Sequence, residues 1–405
     1  MKRKWVLVFV ILIFGSCFFG RFNISSGLFC VNVAYAESEQ EEIEQEIQEQ
    51  VQKQIDNLKF DEIESALKDL SAEAMGIFSS SSFSAKVGYV ISGRYGDESK
   101  SFFSAVLSVL FGNLKKFLPL ISTIISVSIL GGMISSLRPM TTNGSIGNII
   151  HFVTYGVILV ILGTSISQAI NLSTKTLTSI KNVFNGIFPV LLTLLTALGG
   201  SVSVGIYQPA IAMLGNVFVS LITYVLLPIF IFSIVFSIVG NLSNNVRLDK
   251  FVAFLQGLFK WTIGLCFTIF LGFVSIQGVV AGSVDGLSIR TAKYAIKSYV
   301  PIVGGYVSDG LSIIMASSAL IKNAVGGVGL FLLLSIMISP ILNLVIFVLA
   351  LKFMAGIIEM VGDKKIANFV ASLSKSMSLL IALLVAVAFM YVVLTGLVMC
   401  SANLV

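Results

Sequence analysis

Arg290, Lys293 and Lys297 follow one another at spacings of three and four in the stretch DGLSIRTAKYAIKSYVPIVGGYVSDG, Asp285 to Gly310. A helix gathers cations so spaced on one face. Their chemistry is the holding of phosphate or carboxylate groups. Asp285 and Asp309 bracket the element and could pair with its cations. Ile289, Ala292, Ile296 and Tyr299 fall on a neighbouring face, the pattern of an amphipathic helix lying at a membrane surface. Pro301 ends that helix, and Gly304 with Gly305 let the chain turn back. Two readings stand open: a docking or gating element, or an ordinary interfacial helix answering lipid charge. If the first holds, charge reversal at Lys293 and Lys297 does more damage than reversal at Lys175 and Lys181, which read as loop lysines.

Other reactive groups are sparse. The single histidine, His151, rules out an HExxH zinc site and argues against a His-based triad; near the start of a span it reads as an interfacial residue. No phosphate-cradling GxxxxGK[ST] loop occurs, and the GGVG at Gly326 lacks the strand context that a dinucleotide site needs. Of four cysteines, Cys17 and Cys30 fall in the N-terminal leader, while Cys266 and Cys400 lie in apolar runs, so neither a disulfide framework nor a paired-cysteine metal site is expected. No catalytic, metal-binding or cofactor-binding residue is assigned, and no cofactor.

The elements that position these residues are built for lipid. Of 405 residues, 56% are hydrophobic and 11% charged; soluble domains carry about 25% charged residues. Mean hydropathy is +0.98. The N-terminal MKRK and the apolar run from Trp5, with small residues at Ala34 and Ala36, read as a signal peptide over 1–36. Residues 37–116 form an acidic, mostly helical extracytoplasmic segment and linker. Between 37 and 74 it holds thirteen Asp or Glu against three Lys or Arg. Ile43, Ile47, Val51, Ile55 and Leu58 make a narrow helical stripe there, suited either to a solvated arm or to a partner helix. SSSSFS at 79–84 reads as a flexible linker.

Residues 117–405 form the polytopic membrane domain, with the interfacial element at 285–323. Apolar runs at 117–137, 149–171, 183–199, 209–239, 259–282, 324–361 and 377–399 are long enough to cross about 30 Å of hydrocarbon. Ser339 and Pro340 split the 324–361 block in two. The fold expected is all-α, with about eight transmembrane helices. Gly278, Gly282 and Gly286 recur every fourth residue and suit close helix packing. Gln168, Asn171, Asn216, Gln277 and Asn343 are the polar residues expected to face the interior. Sixteen Lys or Arg against five Asp or Glu from residue 101 onward answer anionic lipid, and no basic surface with interleaved aromatics points to nucleic acid.

SIQGVVAGSVDGLSIRTAKYAIKSYVPIVGGYVSDG, followed by SSALIKNAVGGVGL, resembles the signature region of the stage III sporulation protein AE family. The resemblance extends to the leader, the multispan body and the C-terminal KSMSLLIALLVAVAFMYVVL; the acidic, Gln-rich arm departs from the family pattern. The resemblance implies a multi-pass protein of the mother-cell membrane around the forespore, with its N-terminal segment extracytoplasmic. It implies a non-enzymatic subunit of the channel or secretion-like complex that joins the two compartments and sustains late forespore gene expression. The partners implied are the other subunits of the stage III sporulation A complex, including a separate ATPase, and a forespore membrane protein across the intermembrane space. The alternative is a self-contained secondary permease for a small solute, with a midplane site made by broken helices around Pro189 or Pro228.

Overall fold

A chain this apolar has to satisfy its backbone internally, and the helix does so within one segment. The computed structural model describes residues 49–55, 58, 60–68, 72–78, 82–92, 98–136, 144–212, 217–242, 248–299, 304–361 and 364–401; within these, the side chains of 276–290, 292–293, 295–299, 304–306 and 309 lie outside the description, as do some at other helix ends. Among the described residues there is no strand. The predicted signal peptide lies outside them, as do Ile43 and Ile47.

Four short helices come first: α1 (49–55), α2 (Asp61–Lys68), α3 (Ala72–Phe78) and α4 (Phe83–Ile91). Long helices follow: α5 (Glu98–Ser136), α6 (Gly144–Ala197), the shorter α7 (Ser201–Ala212), α8 (Leu227–Leu242) entered through a π-turn at Ile222–Leu226, α9 (Asp249–Tyr299), α10 (Gly304–Val361) and α11 (Lys364–Cys400). Among the described residues, six helical stretches are long and apolar enough to cross a membrane: Ser104–Ile134, Phe152–Ala197, Val219–Asn241, Asp249–Ser275, Gly310–Met360 and Lys364–Cys400.

The difference from eight has a physical origin. The expected break at Ser339 and Pro340 is absent, and α10 passes through Pro340 without interruption. One lost backbone hydrogen bond does not end a helix enclosed by α5, α6, α9 and α11. The expected loop between 171 and 183 is absent as well. Thr174, Thr176 and Thr178 donate their hydroxyls to carbonyls one turn back, at Ile170, Leu172 and Thr174. These polar side chains are satisfied by the helix that carries them, so α6 runs on for 54 residues, about 81 Å at 1.5 Å per residue.

The linker over 79–84 is also corrected in part. Ser82 caps α4, its hydroxyl oxygen accepting from the Ala85 amide at 3.3 Å. The first long helix begins at Glu98, ahead of the expected domain start at residue 117.

The α10 helix is the centre. Its most apolar window is 61% buried, against 17% for the stretch in α5. The short helices α3 and α4 pack on α10, and α2 packs on α6. Val51, Phe60, Ile63, Phe78, Phe83 and Val87 join the same core as Phe184, Leu344 and Leu380. The stripe read in the acidic segment therefore buries Val51, with Ile55 and Leu58 partly buried, against this chain's own body. Apolar side chains cover much of the outside: Trp261, Phe254, Leu349, Phe353 and Val160 are all exposed, as lipid-facing residues are.

Candidate functional site

The polar groups of α10 are spread along its length and tie it to α1, α5 and α11. Near its start, Gln54 of α1 donates to the Ser317 hydroxyl at 3.1 Å and accepts from the Ser318 hydroxyl at 3.0 Å. One amide thereby pins the acidic segment to the central helix.

One turn further on, Lys322 is fully buried. Its ammonium donates to the Ser401 carbonyl at the end of α11, where the unpaired carbonyls of a helix terminus attract a cation. The Ser401 hydroxyl meets the Tyr207 hydroxyl of α7 at 2.7 Å. Three elements are thus joined at one end of the bundle. Gly326 and Gly329 on the same side of α10 let the neighbours come close: a Cβ on Gly329 would sit 2.9 Å from Ile187 Cδ1, and one on Gly326 would collide with Met399. The GGVG run is a helix-packing surface.

A second buried lysine, Lys86 of α4, lies over the rings of Phe78 and Phe331, 4.5 and 5.2 Å from their centroids. Toward the other end, Asn343 donates to Asn113 of α5 at 3.1 Å. Phe117 stacks on Phe347 at 5.3 Å. Beyond α10, Gln256 of α9 donates to Ser376 at 3.1 Å, Ser237 of α8 bonds Ser372, and Tyr155 of α6 donates to the Ile238 carbonyl at 2.8 Å. These amide and hydroxyl bonds fix helix register.

The residues singled out from sequence fall in three places. Arg290, Lys293 and Lys297, with Asp285, lie in the last turns of α9, and so do Gly278, Gly282 and Gly286. That helix is one piece with the span Asp249–Ser275, so the basic segment continues a membrane helix. Gly304, Gly305 and Asp309 open α10, and Pro301 lies outside the described residues. Asn343 does face the interior. Gln168 and Asn171 do not; both are exposed on α6. Asn216 and the Gln277 side chain lie outside the described residues.

Sequence reasoning missed Lys86, Gln54 and Lys322. The signal for Lys322 was present: Ser318, Lys322, Gly326 and Gly329 recur at spacings of four, four and three, the mark of one crowded helix face.

Compared with known proteins, the chain matches a family model described as stage III sporulation protein AE over residues 81–402. It is 26% identical to the stage III sporulation protein AE of Bacillus subtilis (strain 168) over 405 residues, covering all of this chain and 99% of that protein. No solved structure matches.

Proposed function

The chain belongs to the stage III sporulation protein AE family, and from that premise we propose that it is a non-enzymatic, multi-pass subunit of a channel or secretion-like complex between mother cell and forespore. In this reading it sits in the mother-cell membrane around the forespore, with its N-terminal segment on the extracytoplasmic side. It works through neighbours, namely other subunits of the stage III sporulation A complex, a separate ATPase, and a forespore membrane protein across the intermembrane space.

The observation that carries the reading is how α10 spends its polar side chains. Gln54, Ser401, Asn113 and the ring faces of Phe78 and Phe331 are bound to α10 or to groups packed on it. Much of what remains exposed is apolar and suited to lipid. The site expected for a self-contained permease has little support. Pro189 is exposed on α6, which runs through it unbroken, and Phe184, Phe188 and Phe230, near these prolines in sequence, are fully buried.

The test is deletion in the host. The expected outcome is arrested spore formation with loss of late forespore gene expression, restored by the full chain in trans. Normal spores with normal forespore expression would overturn the proposal. Solute uptake by the purified chain alone in liposomes would overturn it in favour of the permease.

A further inference from the structure

The exposed face of α6 changes chemistry along its length. Ile149, Val153, Val157 and Val160 are exposed and apolar. From Thr164 onward the same face, still at spacings of three and four, carries Gln168, Asn171, Lys175, Thr178, Asn182, Asn185 and the apolar Pro189, and closes with Thr193 and Thr196; all are exposed. Thr164, Thr178, Thr193 and Thr196 bond their own helix, which lipid tolerates. The four amides and the ammonium of Lys175 have no such bond, and such groups avoid hydrocarbon. From Thr164 to Thr196 the face is about 48 Å long, more than the roughly 30 Å of a hydrocarbon core.

That polar face lies at the depth of the most apolar part of the molecule. The α6 and α11 helices run in the same direction: Tyr155 meets Phe369 at 4.8 Å and Phe184 meets Tyr391 at 4.4 Å. Val385 lies between Phe369 and Tyr391, level with the middle of the polar face near Lys175. Both Ala382 and Val385 are exposed there, on the helical stretch of highest mean hydropathy, 2.8. At one depth, therefore, the chain offers lipid-compatible side chains on one helix and water-seeking ones on another.

We propose that the exposed face of α6 from Thr164 to Thr196 lines a water-filled passage, closed on its far side by further copies of this chain and favouring anionic solutes. The proposal rests on the reading of this protein as a membrane subunit of a channel-type complex. Copies are the fitting occupant because rotational symmetry turns the same face of every copy toward one axis, so a single polar stripe supplies the whole wall. The sequence holds no Asp or Glu between Glu98 and Asp249, so α6 carries no acid. Lys175 repeated around an axis makes a cationic ring of the kind that selects anions.

The experiment uses the full chain with its complex in host membranes, its four cysteines replaced by serine, and single cysteines placed at Gln168, Asn171, Asn182, Ala382 or Val385. A membrane-impermeant sulfonate thiol reagent is expected to label the first three at least about tenfold faster than the last two. Next to Lys175, at N171C, the anionic reagent should outpace a cationic one of equal size about threefold, and K175Q should remove that preference. A bifunctional thiol reagent should join N182C chains into dimers. Slow labelling at all three polar positions would overturn the proposal, and so would equal labelling at V385C, which would place this whole depth in bulk water. Fast labelling with no N182C dimer would remove the further copies. Charge-blind labelling would remove the anion preference. Each failure leaves the deletion phenotype untouched, and a normal deletion phenotype overturns the complex whatever the labelling shows.

Discussion

Two helices of nearly equal length handle polarity in opposite ways. The 58-residue α10 turns Ser317, Ser318, Lys322 and Asn343 toward neighbours that bond them. The 54-residue α6 turns Gln168, Asn171, Lys175, Asn182 and Asn185 outward. Polar content alone does not separate them; the direction of the polar face does. On α10 the polar groups hold the monomer together. On α6 they contribute little to it, and their worth lies in what surrounds the molecule.

Substitutions can sharpen or break that contrast. The largest stability loss is expected where α6 faces inward: Phe184→Ala removes a ring packed on Tyr391 and Phe188, at a cost of about 3–5 kcal/mol, read as a fall in the thermal midpoint in detergent. On α10, Asn343→Leu leaves Asn113 buried without its partner and costs about 1–3 kcal/mol. The Asn113→Leu/Asn343→Leu double variant should be less damaged than that single one, since both polar groups are then gone. Equal or greater damage in the double would mean that the amide pair is not what the single change removes. Gln54→Leu should cost about 1 kcal/mol and expose α1 to limited proteolysis while the long helices resist; unchanged proteolysis would undo the docking of α1 on α10.

Outward on α6, Asn182→Leu should leave the midpoint within about 0.5 kcal/mol of the parent, and a loss like that of Asn343→Leu would break the comparison. The smallest effect belongs to the exposed pair Glu49–Lys53, 2.7 Å apart on α1. The hydrogen bond from Lys53, and then its charge, hold the Glu49 carboxyl below its usual range. Any stabilisation is therefore present above the unfolded carboxylate range and lost as pH falls through the lowered value. For a fully exposed pair, no shift in the midpoint is expected between about pH 7 and about pH 5.

The lipid-solvated, all-helical character could be read directly from the apolar runs, and the family from the stretch around Arg290. Helix continuity could not. A run of apolar letters ends at Asn171 or Pro340, whereas a helix ends where its backbone bonds end, and threonine back-bonding and surrounding helices keep those bonds intact. That error turned Lys175 and Lys181 into loop lysines suited to serve as controls; Lys175 instead stands on the one polar face that α6 shows to the outside. The docking of α1 was hidden for a different reason: a thin stripe such as Val51, Ile55 and Leu58 fits any apolar partner, and its sequence does not say that the partner is the same chain. The spacing of Ser318, Lys322, Gly326 and Gly329 marks a crowded helix face, but a lysine after an amphipathic segment also reads as a flank, and its bond to the end of α11 is visible only in the packing.

The most direct measurement compares water and lipid on the two helices: spin labels at N182C and V385C in membranes, with relaxation by a polar nickel chelate set against relaxation by oxygen. The account predicts that the chelate dominates at position 182 and oxygen at position 385. Oxygen dominating at both positions, or the chelate at both, would contradict it.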